Sequence, residues 1–230
     1  MWPPSHLGAM NYPYTRLPLA WQWALYGLYA AAMLAVLIKT PWRRLLDNET
    51  SHVFLGACVG LTLMWLIKAD GIPGMEYHYL GATLLTLMVG WRLAIVGMSL
   101  VLTAMVYNGM SDWHNFPINA LMMGVLPVVI SQLIYYFVQK KLPNNFFVYI
   151  FLTAFFGSAI AVASSILTAS GLLLASDVHT LHALALKYLP YTPLMMFPEA
   201  FITGMLITLF VVLRPTWVFT FDDEKYIRGK

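Results

Sequence analysis

Long apolar runs, separated by a few bunched charges, constrain this chain more than any other feature of its sequence. One of them, residues 146–175, contains no Asp, Glu, Lys or Arg. A helix needs roughly 20 apolar residues, at about 1.5 Å each, to cross the hydrocarbon core of a bilayer. Charged residues make up 10% of the sequence, against roughly 25% in a soluble domain. We therefore predict an integral membrane protein with the lipid bilayer around most of its surface.

Seven segments predict an all-α, polytopic membrane protein with about seven transmembrane helices. The segments are 19–38, 53–67, 79–89, 93–110, 118–138, 146–175 and 194–213. They form a single helical domain over residues 1–230, with an outer N-terminal segment (1–18) and a cytoplasmic tail (216–230). The third segment is too short to cross alone unless the bilayer or its neighbours adapt.

The distribution of lysine and arginine predicts the orientation. With seven spans, ten of the 13 basic residues fall on one side. The three on the other side are Arg16, Lys68 and Lys187. Cytoplasmic loops of membrane proteins are rich in lysine and arginine, which places the N-terminus outside and the C-terminus in the cytoplasm.

The sequence lacks the residues that several classes of function need. No histidine lies in the middle of a predicted span, where a bundle would ligate haem. The last segment has no lysine for a retinal Schiff base, and the chain contains no Walker, GxSxG or HExxH motif. No basic stripe suggests nucleic acid as a partner. We expect a protein that is not an enzyme.

The histidines are the candidate metal ligands. Five of the six fall on the predicted outer side, among them His6, His78 and His114. His78 follows a short polar loop, opens the third segment and has Glu76 two residues before it. Neutral imidazole binds Co, Ni, Cu and Zn well. The alternative for His78 is a helix-capping or interfacial histidine that binds nothing.

Two further polar residues lie within or near predicted spans. Glu199 is near the start of the last one, where an ionisable group is costly unless it is paired or faces a cavity. It is either an anchor for helix packing or part of a substrate path, or it is an interfacial residue held in water. For Asn119, in the fifth span, hydrogen bonding between helices is the default interpretation.

An ordered set of motifs resembles one family. The motifs are YHYLG at 77–81, GW at 90–91, an N followed by MG at 119–124, PEAFITG at 198–204 and RP at 214–215. In this order and spacing they are similar to CbiM/NikM-type proteins. These are the substrate-capturing membrane components of energy-coupling factor transporters for cobalt and nickel, which belong to the ABC transporters.

The resemblance implies a bacterial inner-membrane subunit that binds a divalent transition-metal ion (Co or Ni) from the outer face as its substrate, and the histidines and methionines on that side would also suit Cu. Its implied partners are a cytoplasmic ATPase and a second membrane scaffold subunit. In the family the metal is held by the N-terminal amine, a histidine at the second position and a histidine that matches His78. This chain has Trp2 at the second position, or Asn11 if translation starts at Met10.

The sequence therefore leaves two main functions open, with copper handling through Met75, Met110 and His78 as a third option. In the first, His78 is the anchoring ligand of a transported metal, and His6 or His114 supplements it. In the second, the chain is a non-transporting scaffold or assembly subunit that keeps the fold and has lost the chelate. The tail, with residues 221–225, would then serve as a docking surface.

Overall fold

The computed structural model describes residues 17–67, 69–72, 75–177, 180–187, 189–224 and 226. Within these residues, five stretches of helix are long and apolar enough to cross a membrane. They are α1 (Leu19–Lys39), α2 (Asn48–Leu66), α5 (Trp113–Lys141), α6 (Phe146–Ala175) and the stretch Leu184–Leu213. That last stretch contains the end of a short α7 (Leu181–Lys187) and the whole of α8 (Thr192–Leu213). Between α2 and α5 lie two shorter helices, α3 (Ala82–Val89) and α4 (Trp91–Tyr107).

All seven predicted segments are helical, which supports a polytopic helical membrane protein. The prediction missed the short helix α7 and a small antiparallel hairpin of β1 (Ala69–Ile72) and β2 (Met75–Tyr77). The hairpin sits in the loop between α2 and α3, where glycines and a proline prevent a helix from continuing. The third segment forms a helix of eight residues, shorter than the eleven predicted.

Helix α3 lies at the centre of the bundle. Its eight residues span about 12 Å, less than half of a hydrocarbon core of about 30 Å. All eight are buried, and α3 packs against α2, α4, α5, α6 and α8. Helix α1 is the opposite case, since its only buried residues are Leu25 and Val36. We infer that α1 faces lipid and that α3 is surrounded by protein.

The carboxyl end of α3 is closed by other parts of the chain. The last carbonyl groups of a helix have no partner within the helix. Here the carbonyls of the last three residues accept bonds from the Arg44 guanidinium, the Phe219 N–H, and the Thr220 N–H and hydroxyl, at 2.9–3.2 Å. The Arg44 guanidinium also lies 3.7 Å from the centre of the Phe219 ring, in a cation–π contact.

The start of the C-terminal tail is therefore part of the bundle. Phe221 is only 8% exposed and stacks on Tyr226 with ring centres 5.0 Å apart. Among the described residues of the predicted docking surface, the exposed ones are acidic, Asp222 and Glu224. Its apolar residue, Phe221, packs inward against Tyr149 and Tyr226.

Hydrogen bonds place several basic residues at one end of the bundle, which we call the basic end. It comprises Lys39, Arg44, Arg92 and Arg214. The Arg92 guanidinium donates to the Lys39 carbonyl at 2.9 Å, and Arg44 reaches the last residue of α3. The sequence grouped these residues on one side of the membrane. That this side is cytoplasmic stays a prediction.

Gly90 joins α3 to α4 in a backbone conformation open only to glycine, with φ 87° and ψ 151°. A Cβ there would lie 3.1 Å from the Phe219 ring. We expect Gly90→Ala to destabilise the protein by about 1–3 kcal/mol, the usual cost of such strain. The matched control is Gly171→Ala in α6, where a Cβ meets nothing within 4 Å. Thermal unfolding in detergent should show a lower Tm for Gly90→Ala alone. Equal Tm values for the two variants would show that the backbone at Gly90 does not need glycine.

Candidate functional site

His78 lies in a loop in front of α3 and not on the helix. Residues 78–81 are irregular, and the helix begins at Ala82. The prediction that His78 opens the helix is therefore wrong. The physical reason is Gly81, which adopts a left-handed φ of 70°. A Cβ at this position would overlap the side chain of Leu61 in α2, so only glycine lets the loop pass this close.

The Glu199 carboxylate holds this loop. Its Oε2 accepts the Leu80 N–H at 2.8 Å and its Oε1 accepts the Gly81 N–H at 2.9 Å. These N–H groups lie at the amino end of α3, where donors lack partners and the helix dipole favours negative charge. Glu199 is only 3% exposed. It is therefore an internal anchor, and the alternative of an interfacial glutamate held in water is wrong.

A second bond from α8 supports the same loop. The Tyr79 hydroxyl and the Thr203 hydroxyl are 2.9 Å apart. Thr203 follows Glu199 by four residues, so both side chains lie on one face of α8. The PEAFITG motif thus supplies two contacts to the loop. Sequence reasoning found Glu199 and missed Thr203, although the motif contained it.

Trp65, near the end of α2, positions the imidazole of His78. Its indole N–H donates to the Leu80 carbonyl at 3.1 Å, and its ring centre lies 4.6 Å from that of His78. The His78 Nδ1 lies 3.2 Å from the Tyr79 carbonyl. Because a carbonyl only accepts, Nδ1 carries the proton in this bond. The neutral ring then has its lone pair on Nε2, an atom that commonly ligates metals.

The other predicted residues lie elsewhere. His114 is exposed in a 3₁₀ turn at the start of α5, and its carbonyl accepts the Tyr26 hydroxyl at 3.4 Å. Asn119 is fully buried, and its amide donates to the Ser111 hydroxyl at 3.2 Å. That bond ties α5 to the loop in front of it and does not join two spanning helices.

Two of the predicted site residues lie wholly or partly outside the described structure. His6 lies outside the described residues, and Glu76 lies on β2 with a side chain that is also outside them. Within the described part of the chain, no group of three or more His, Cys, Asp or Glu side chains could hold a metal ion. The structure brings the His78 loop and Glu199 together. The ligand set of His78, His6 and His114 stays a prediction.

Comparisons with known proteins agree with this geometry. Two solved structures share the fold. One is described as the crystal structure of a truncated transition metal transporter, with a TM-score of 0.72, 16% identity, and coverage of 88% of this chain and 98% of that one. The other is described as a transition metal transporter, with a TM-score of 0.69, 18% identity, and coverage of 88% and 93%. At these identities the likeness shows the fold alone.

A search of curated protein sequences found no match. Residues 13–217 match the family described as CbiM, the cobalt uptake substrate-specific transmembrane region. This match covers most of the chain, from the residues before α1 to the turn after α8. The chain therefore belongs to the CbiM family of cobalt uptake transmembrane proteins.

Proposed function

We propose that this chain is the substrate-capturing membrane component of an energy-coupling factor transporter for a divalent transition-metal ion such as cobalt or nickel. The ion binds from the outer face of a bacterial inner membrane, with His78 as the anchoring ligand. The ion is cargo, and the chain makes or breaks no covalent bond. ATP hydrolysis belongs to a cytoplasmic partner, which a second membrane scaffold subunit couples to this chain.

The observation that carries the proposal is the fixation of the His78 loop by Glu199. A ligating imidazole binds tightly only when its orientation is set before the metal arrives. Here a buried carboxylate fixes the backbone of Leu80 and Gly81, and Trp65 packs on the imidazole itself. These contacts fix the loop that carries His78 as well as the amino end of α3.

The remaining ligands in this proposal are His6 and His114. His114 lies beside Tyr26, near the start of α1, and α1 finishes at the basic end. His114 is therefore in the half of the bundle that also contains the His78 loop. Imidazole suits cobalt, nickel and copper alike, so the donor set alone does not choose among them.

The alternative is a non-transporting scaffold or assembly subunit. It is favoured by one specific observation: within the described residues, no group of three or more His, Cys, Asp or Glu side chains could hold a metal ion. Such a subunit would need the fold and the docking surfaces but would bind no metal. A metal titration of the purified chain distinguishes the two functions.

Metal titration of the purified chain is the decisive experiment. We expect about one Co²⁺ or Ni²⁺ ion per chain by calorimetry and by elemental analysis, and loss of that binding in His78→Ala. The matched control is His52→Ala, at an exposed histidine on the other side of the bundle whose ring bonds only locally to the Asn48 carbonyl. A wild-type chain with no metal above background would contradict transport and favour the scaffold.

Glu199→Gln tests the anchor separately from the ligand. One oxygen of the carboxylate becomes an NH₂ group, which faces a backbone N–H with no acceptor between them. Loss of a partner for a buried donor costs about 1–3 kcal/mol, and disturbed support of a ligand typically lowers metal affinity about 10–100-fold. We expect both effects, a lower Tm and weaker metal binding with His78 still present.

The control for this change is Glu49→Gln at the basic end, which should leave metal affinity unchanged. Unaltered affinity and Tm in Glu199→Gln would show that the carboxylate is not the anchor. The metal site itself would then still be tested by His78→Ala, so the two proposals fail independently.

A further inference from the structure

A cleft of about 710 Å³ opens between α2 and α8, and the end farther from Glu49 includes Leu61, which also lies beside Gly81 of the His78 loop. Helix α3 forms its floor through Leu84, Leu85 and Met88. One wall includes Gly56, Gly60 and Met64, and the other includes Leu206 and Phe210. The cleft lies at the depth of the membrane-spanning helices. Its lining is almost entirely apolar, except at one end.

The shape of the cleft limits what can fill it. It follows α2 from Glu49 to Met64, a length of about 22 Å at about 1.5 Å per residue. Its walls over that length are almost entirely apolar, and an acyl chain is the slender, extended apolar group that a bilayer supplies.

Two glycines keep the cleft open on the α2 side. Gly56 and Gly60 are one helical turn apart, and a Cβ built on either meets nothing within 4 Å. The space beside them is therefore not taken up by packing within the described chain. In a bilayer a void of this kind loses dispersion contacts along its walls, so an occupant is favoured.

The open end of the cleft carries both a cation and an anion. Arg214 is exposed, and its guanidinium makes no hydrogen bond or ion pair with any described residue. Glu49 is also exposed; its Oε1 accepts the Thr216 hydroxyl at 2.9 Å and the Trp217 indole N–H at 3.1 Å. A tryptophan at this level is typical of the boundary between hydrocarbon and water.

We propose that this cleft binds one zwitterionic aminophospholipid. An acyl chain lies along α2 over α3, the phosphate contacts Arg214, and the primary ammonium contacts Glu49. An acyl chain gains little by moving from lipid into an apolar cleft, because both surroundings are apolar. Selectivity therefore comes from the two charges at the mouth, which match the two charges of such a headgroup, and from the N–H groups of the primary ammonium, which donate to the Glu49 carboxylate and which a quaternary ammonium lacks. A purely anionic headgroup would satisfy Arg214 and be repelled by Glu49.

The first test measures retention of phospholipid. The full chain is purified from membranes in mild detergent, and bound phospholipid is counted by native mass spectrometry and phosphorus assay. We expect one phospholipid per chain in the wild type and at least a tenfold loss in the double variant Gly56→Leu, Gly60→Leu, whose side chains fill the cleft. The control Gly171→Leu lies in open space on α6 and should retain the lipid. A Tm for each variant checks that it is folded.

Retention in the double variant equal to the wild type would overturn the proposal, and so would a wild type without bound phospholipid. A third outcome also overturns it. If the double variant keeps its phospholipid but loses a co-purifying membrane subunit, the cleft is a protein interface.

The second test concerns the headgroup. The delipidated chain is mixed with phosphatidylethanolamine, phosphatidylcholine or phosphatidylglycerol of the same acyl chains, and retention is compared. We expect phosphatidylethanolamine to be retained several-fold better than the other two. Arg214→Gln should lower retention of all three, and Glu49→Gln should remove the preference for phosphatidylethanolamine while its amide oxygen still accepts from Thr216 and Trp217. Preferential retention of phosphatidylglycerol, or an unchanged preference in Glu49→Gln, would overturn this headgroup assignment.

Discussion

The hydrogen bonds from the backbone of Leu80 and Gly81 to the Glu199 carboxylate are the interaction on which the centre of this structure depends. Inside a membrane no water is present to form hydrogen bonds with backbone groups. A spanning helix therefore satisfies these groups internally, and an interrupted helix needs other partners for them. Helix α3 begins and ends within the protein. A buried carboxylate accepts from the N–H groups of Leu80 and Gly81, immediately before the helix, and its own charge is favoured there by the helix dipole.

The carboxyl end of α3 carries carbonyl groups, which need hydrogen-bond donors as partners. Its last carbonyls accept from Arg44 and from the chain after α8. The positive partner is thus at the carboxyl end and the negative partner at the amino end, as the dipole requires. Helix α8 provides Glu199 at one end of α3, and the segment that follows it provides Phe219 and Thr220 at the other. The His78 loop and the tail are therefore attached to the two ends of one rigid element about 12 Å long.

Each of the seven segments predicted from hydropathy contains a helix, because the need to bury apolar residues in lipid acts locally along the chain. Hydropathy did not predict where the third helix begins, because its start depends on the left-handed backbone of Gly81 and on Glu199, which bonds to the backbone of Leu80 from 119 positions away in the sequence. The tail was expected to be exposed for a similar reason. Its partners are carbonyls of a buried helix, which leave no pattern in the sequence. For Glu199 the sequence left two alternatives, and its burial decided between them. The choice of metal ligands beyond His78 rests on the family resemblance.

The two proposed ligand sites share α3, but this helix gives them little means of influencing each other. The proposed lipid would lie on the α3 floor at Leu84, Leu85 and Met88, and the proposed metal ligand precedes the same helix at His78. Coupling between sites requires an element with two discrete arrangements that both ligands bias. Helix α3 is held at both ends by charged or multiple hydrogen bonds and is buried along its whole length, so it is poorly suited to such a change. Occupation of the cleft should therefore stabilise the bundle around α3 without altering metal affinity, and the His78 loop should respond to metal locally.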